Sequence, residues 1–216
     1  MRNENENKQS VTFTDDQSAA IDELISFIAA TWSDKDFIRG LCGPGGTGKT
    51  FVTKYIIENC KYSHSVIKCT APTHKACRVL NNAIGNIRNV ETIQSTFGLR
   101  LDLKLEDFDP ERPQFNPIAG PKLDNIKLLI VDEASMLPAK LVKYIINTCK
   151  KLNIKIIFQG DSFQLPPVGE KQSYAFTQCY KINNLNEIVR QGNDNPIRVI
   201  LSILREDIKN KTYRFL

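Results

Sequence analysis

Gly43-Pro44-Gly45-Gly46-Thr47-Gly48-Lys49-Thr50 has the residue types of a phosphate cradle. Its glycines let the backbone curl so that N–H groups converge on phosphate oxygens, and a following helix adds the positive end of its dipole. Lys49 would reach the β- and γ-phosphates of a nucleotide, and the Thr50 hydroxyl would ligate Mg²⁺. Taken alone, the stretch could be a glycine-rich turn followed by an accidental Lys-Thr. Its place between a short apolar strand and a helix favours the phosphate loop. A second pair supports this reading: Leu128-Leu129-Ile130-Val131-Asp132-Glu133 is an apolar strand ending in two carboxylates. At the carboxyl edge of a sheet, beside a phosphate loop, Asp132 is a partner for Mg²⁺, directly or one ligand removed. Glu133 is then placed to orient and deprotonate an attacking water. Without the phosphate loop, the same Asp-Glu would equally well open a helix.

These groups need a scaffold, and the surrounding pattern predicts one. Thr14-Asp15-Asp16-Gln17 forms a capping box, followed by Ala20, Ile21, Leu24, Ile25 and Ile28 at helical spacing. Four short apolar runs, Phe37–Cys42, Val66–Thr70, Lys127–Val131 and Ile154–Phe158, alternate with helical segments at Lys49–Cys60, His74–Asn82 and Ala139–Lys151. Strands alternating with helices predict a parallel α/β sheet. Leu99–Asp124 breaks the rhythm, with ten charged residues, among them Asp102, Lys104, Glu106, Asp107, Asp109, Glu111 and Arg112, four prolines and no sustained period. An excursion of that length is a solvated loop or a small subdomain such as a hairpin.

Composition excludes several alternatives. The chain has 216 residues and 29 Lys+Arg against 24 Asp+Glu, for a net charge of +5, which permits nucleic-acid binding without demanding it. No apolar run approaches the roughly 18 residues of a membrane span, and the polar start at Met1–Lys8 lacks the apolar core of a secretory signal. A cytoplasmic protein is expected, in a bacterium or a phage-infected cell. The six cysteines form no Cys-x-x-Cys pair, and the two histidines, His64 and His74, have no metal-ligand spacing to them. This argues against a zinc site or a disulfide framework. Cysteines within apolar runs behave as small hydrophobes in a reducing compartment.

A phosphate loop leaves kinases, GTPases, transporters and motors open, and further motifs narrow the choice. Ala71-Pro72-Thr73-His74-Lys75-Ala76 follows the second apolar run, and Thr92-Ile93-Gln94-Ser95 comes next. Gly160-Asp161-Ser162-Phe163-Gln164-Leu165-Pro166-Pro167-Val168 follows the fourth run, and Leu185–Gln191 contains Arg190. In this order the chain resembles the first motor domain of superfamily 1 helicases, most closely the 5′-to-3′ branch with Dda and RecD-like enzymes. The resemblance runs from about Phe13 to the C-terminus.

The resemblance implies a RecA-like P-loop NTPase fold, a parallel sheet flanked by helices. Residues 13–98 and 125–216 would form the ATPase domain, 99–124 a small inserted hairpin-like subdomain, and 1–12 a flexible tail. It implies ATP and Mg²⁺ as cofactors, with Gln17 at the adenine edge in addition to its capping role. Gln164 would sense the γ-phosphate, and Arg190 would bring transition-state charge to it. Pro72, Thr73, His74 and Lys75 would lie against single-stranded DNA or a duplex junction. Thr92 and Gln94 would belong to the same path, although the family usually has histidine where Gln94 stands, so a stacking or charged contact becomes a neutral amide. A second RecA-like domain is the expected partner, because 216 residues leave no room for it. Two further possibilities are a nucleotide-dependent DNA-binding switch and a small-substrate phosphotransferase. For the latter, no arginine-rich lid follows the fourth run.

Overall fold

Strands that are apolar along their whole length require cover on both faces, and the structure supplies it. The computed structural model describes residues 12–85, 90–101, 115–164, 167, 170 and 172–189, and from the C-terminal stretch 203–204, 206–207, 210 and 212. Helix α1 (Asp15–Ala29) begins at the expected capping box: Thr14 Oγ1 accepts from the Gln17 backbone at 3.3 Å, and Gln17 Oε1 accepts from the Thr14 backbone at 3.2 Å. Then follow β1 (Ile38–Cys42), α2 (Lys49–Asn59), β2 (Ile67–Ala71), α3 (His74–Ala83), β3 (Glu91–Thr92) and α4 (Ile93–Phe97). Next come β4 (Leu99–Leu101), β5 (Phe115–Pro117), β6 (Leu128–Val131), α5 (Ala139–Lys151), β7 (Lys155–Gly160), α6 (Tyr174–Thr177) and β8 (Lys181–Asn184).

Six of the described strands form one parallel sheet in the order β3-β2-β6-β7-β1-β8. Along β6, Leu128 and Ile130 pack with α1, α2 and α3, while Leu129 and Val131 pack with α4, α5 and α6. Each fully buried Leu or Ile contributes roughly 1.5–3 kcal/mol, so two-sided burial makes the central strands the rigid part of the scaffold. Because the sheet is parallel, the loops leaving β1, β2, β3, β6, β7 and β8 all emerge at one edge. The described parts of the motifs that follow β1, β2, β3, β6 and β7 therefore lie along that edge.

Two features differ from the sequence expectation. β7 runs on to Gly160, past the last apolar residue, because Leu41 and Cys42 of β1 pair with Gln159 and Gly160. β3 is two residues long, and β8 is an edge strand in which Asn183 alone is buried, so neither has a hydrophobic run to announce it. The ends of the irregular stretch pair as an antiparallel ribbon, Leu99 opposite Pro117, before Leu123 and Ile126 return to the core. Residues 102–114 and the N-terminal 1–11 lie outside the described residues. Among the described residues no helix is long and apolar enough to cross a membrane, and all six cysteines are free thiols.

Candidate nucleotide-binding site

The phosphate loop is held by neighbours on three sides. Gly43 N donates to Gly160 O of β7 at 3.1 Å, Val189 N donates to Gly46 O at 2.9 Å, and Gln17 Nε2 donates to Thr47 O at 2.9 Å. Two glycines are required by this packing. A Cβ on Gly43 would lie 2.5 Å from Leu185 O, and Gly48 has φ +84° with Gln17 Nε2 2.6 Å from its would-be Cβ. Gln17 is only 3% exposed, and its amide serves both the helix cap and the loop.

A cleft of ≈650 Å³ opens over the loop, lined among others by Lys49, Thr50, Asp132, Glu133 and Gln159. Such a volume suits a small-molecule ligand. Lys49 Nζ donates to Gly43 O at 2.7 Å and Pro44 O at 3.0 Å, which holds the ammonium at the loop. Burial pushes that ammonium below its ordinary value, and Asp161, Glu133 and Asp132, in that order, pull it part of the way back. Asp132 Oδ1 accepts from Glu133 N at 3.0 Å and from Gln159 Nε2 at 2.8 Å. Burial still raises the Asp132 carboxyl above the ordinary carboxylate range. Glu133 is raised by burial first and by the Asp132 charge second. Its backbone is left-handed at φ 51°, a strained position for a non-glycine residue and one that clusters at functional sites.

The other sequence-singled residues take distinct places. Gln164 Oε1 accepts from Ser135 Oγ at 3.1 Å, which links the loop after β7 to the turn two residues beyond Glu133. Thr73, His74 and Lys75 are exposed at the start of α3, with Pro72 half-buried before them. Thr73 Oγ1 caps that helix by accepting from Ala76 N at 3.1 Å. Thr92 is buried and caps α4 in the same way, through Ser95 N at 3.2 Å, with Gln94 half-buried beside it. Ala71 and Thr92 pair across β2 and β3, so both segments stand side by side at the sheet edge. β6 and β7 separate them from the phosphate loop on β1. His74 lines a hollow of ≈430 Å³ with Arg78 and Asn81. Arg190 lies outside the described residues.

A family model described as an AAA domain (AAA_30) matches residues 12–215. The chain belongs to this family. Among its curated relatives, the uncharacterized protein MJ1519 of Methanocaldococcus jannaschii is 33% identical over 178 residues, covering 81% of this chain and 14% of the relative. The ATP-dependent DNA helicase dda of Enterobacteria phage T4 is 36% identical over 162 residues, covering 69% and 34%. The ATP-dependent RecD2 DNA helicase of Deinococcus radiodurans is 29% identical over 158 residues, covering 73% and 20%. The chain thus spans about a third or less of the length of each of these relatives. Within the AAA family it is a superfamily 1 helicase RecA-like domain of the Dda/RecD-like branch.

Three residues of this AAA-family site had no role in the sequence reading. Asp161 was visible only as part of a motif, and it is the carboxylate with the largest influence on Lys49. Gln159, in the wall of the cleft, and the buried Thr53 are hydrogen-bonded to each other. The one sequence signal for Gln159 is a polar side chain directly after an apolar strand.

Proposed function

We propose that this domain binds Mg-ATP in the ≈650 Å³ cleft and hydrolyses it as the first half of a motor that moves along single-stranded DNA and opens duplexes. The observation that carries the reading is the convergence of Lys49 and Thr50, from the start of α2, with Asp132 and Glu133, from the turn after β6, on that one cleft. The Thr50 hydroxyl and the Asp132 carboxylate are hard oxygen donors, a set that fits Mg²⁺ completed by nucleotide phosphates. These two residues would hold the ion, which when bound neutralises charge on the phosphates. Lys49 binds the β- and γ-phosphates. Glu133 orients the attacking water and accepts its proton, and the raised affinity of its carboxylate for protons suits that task.

Gln17 holds Thr47 in place and presents its amide to the adenine edge. Gln164, through Ser135, relays the state of the γ-phosphate toward the DNA side. Arg190 would bring a cation to the γ-phosphate, the role that the helicase resemblance implies for it. Single-stranded DNA, or the single strand at a duplex junction, runs across Pro72–Lys75 and the neighbouring Thr92–Gln94. Lys75 and backbone amides contact phosphates there, and His74 stacks on bases. A second RecA-like domain closes the opposite side of the nucleotide. The helicase relatives and the family match support this reading.

The test uses residues 1–216. The chain should bind Mg-ATP, hydrolyse it slowly with stimulation by oligo-dT, and separate no strands on a tailed duplex. Supplying a downstream RecA-like half should restore fast turnover and unwinding. His74→Ala combined with Lys75→Ala should weaken oligo-dT binding in fluorescence anisotropy, and that binding should fall with salt as counterions are released. Unchanged anisotropy would move the DNA path elsewhere, and robust unwinding by the isolated monomer would sink the two-domain reading.

A further inference from the structure

β7 lies between the strand that carries the phosphate loop and the strand that ends in Asp132. All six of its residues are buried, and two of them, Lys155 and Gln159, carry polar side chains. A glutamine at 1% exposure in the centre of a parallel sheet is costly unless both ends of its amide find partners. Both do. Gln159 Nε2 donates to Asp132 Oδ1 at 2.8 Å, and Gln159 Oε1 accepts from the Thr53 hydroxyl on α2.

The direction of this relay is fixed by chemistry. An ionised carboxylate only accepts, so the amide nitrogen must face Asp132 and the amide oxygen must face Thr53. The Thr53 hydroxyl then has to donate. Thr53 is also buried, and it stands three residues after Thr50 on α2, on the same side of the helix. Asp132 Oδ1 takes a second N–H from the Glu133 backbone, so two donors on one oxygen set the plane of the carboxylate. The buried side chains thus form an unbroken connection from the helix that carries Thr50 to the carboxylate across the cleft.

We propose that Gln159 is a positioning residue. By tying Thr53 to Asp132 it sets the separation and orientation of Thr50 and Asp132, the two oxygen donors for the cation. The inference rests on the Mg-ATP reading above. Partners that orient metal ligands typically cost 10–100-fold in metal affinity or activity when removed. An apolar residue at position 159 would leave Asp132 Oδ1 with the Glu133 N–H but without the second donor that sets the plane of the carboxylate.

The experiment titrates Mg²⁺ against a fixed concentration of the fluorescent nucleotide mant-ATP, with nucleotide affinity in EDTA measured alongside. Gln159→Leu keeps the approximate volume and removes both hydrogen bonds. It should raise the Mg²⁺ concentration for half-saturation by roughly tenfold, well beyond any change in affinity measured in EDTA. Thr53→Val should shift the midpoint in the same direction by less, and Thr53→Ser, which keeps the hydroxyl, should restore it. Gln159→Leu combined with Thr53→Val should match Gln159→Leu alone, as expected of two groups in one relay.

If Gln159→Leu does not fold, the Thr53→Val and Thr53→Ser pair decides the question by itself. The proposal is overturned by an unmoved Mg²⁺ midpoint in these variants, or by an equal loss of nucleotide affinity with and without Mg²⁺. A wild-type chain that binds no mant-ATP in the presence of Mg²⁺ overturns the ATPase reading and this inference together. Variants indistinguishable from a Mg²⁺-responsive wild type overturn this inference alone.

Discussion

Two lysines, Lys49 and Lys155, have nearly the same first contacts and serve different ends. Each donates to main-chain carbonyls: Lys49 to Gly43 and Pro44, Lys155 to Phe27 and Ala30. Each is pushed down by burial, Lys155 to about 8. The surroundings separate them. Lys155 is 2% exposed and caps the carbonyls at the end of α1, a helix with no basic residue in its last turn. Its ammonium lies 4.9 Å from the centre of the Phe27 ring, and Arg39 lies 4.3 Å from the same ring. Arg39 in turn is paired with Glu23 at 2.7 Å and with Asp36. Lys49 instead lines an open cleft and feels Asp161, Glu133 and Asp132. A buried lysine with a lowered pKa is therefore no signature of chemistry by itself. A cleft and a set of carboxylates able to share a cation and phosphates are what make the difference.

The largest effects should come from the cleft. Lys49→Ala should lower ATP turnover on the order of 10²–10³-fold and weaken nucleotide binding, because it removes a preorganised charge at the phosphates. Glu133→Gln should lower turnover on the order of 10²–10⁴-fold while ATP stays bound, since it deletes the proposed base and keeps the shape. Calorimetry with Mg²⁺ separates the two variants, and equal loss of affinity in both would break the assignment of roles. Lys155→Met should do the reverse. It leaves buried carbonyls without a donor and should cost about 1–3 kcal/mol of folding stability in a denaturant melt, with mant-ATP affinity unchanged. If it weakened nucleotide binding in the folded protein, the two lysines would not be as separate as proposed.

A pH profile sharpens the contrast. Glu133 is raised above its ordinary 4.5, so the fold keeps its proton at a pH where a free glutamate has lost it. As pH falls through that raised value the base is protonated, and turnover should drop at a pH above 4.5. Stability responds with the opposite sign. Between 4.5 and the raised value the native state binds more protons than the unfolded chain, so the contribution of Glu133 to stability falls as pH rises through this window. Lys155→Met should leave the acid limb of the turnover profile where it is. An acid limb that moved with Lys155 would couple two ends of β7 that the packing keeps apart.

The smallest effects should separate two glycines of one loop. Gly48→Ala places a Cβ at φ +84° and against Gln17, which should cost about 1–2 kcal/mol and loosen the loop. Gly45→Ala meets nothing within 4 Å and should melt like the wild type. A Gly45→Ala protein as unstable as Gly48→Ala would show that general loop flexibility, rather than one close approach, sets the glycine requirement.

The sequence by itself determined whatever is encoded over short spans. The phosphate loop was legible because Gly43–Thr50 carry the curl, the cation and the hydroxyl in eight contiguous residues. The capping box at Thr14–Gln17 was equally local. The alternation of apolar runs with helical segments was enough for a parallel sheet, because strands covered on both faces must be apolar throughout. Asp132 and Glu133 were legible from their place after such a run. β3 and β8 were not, because a two-residue strand and a polar edge strand have no hydrophobic signal. Only the tertiary structure decided which distant groups meet. Placing β7 between β6 and β1 brings Gln159 against Asp132, 27 positions away, and against Thr53, 106 positions away. The same placement sends Lys155, at the other end of the strand, to the carbonyls of α1. Spacing along the chain encodes how the backbone curls, whereas strand order selects the partners of a buried polar side chain, and no local pattern records that order.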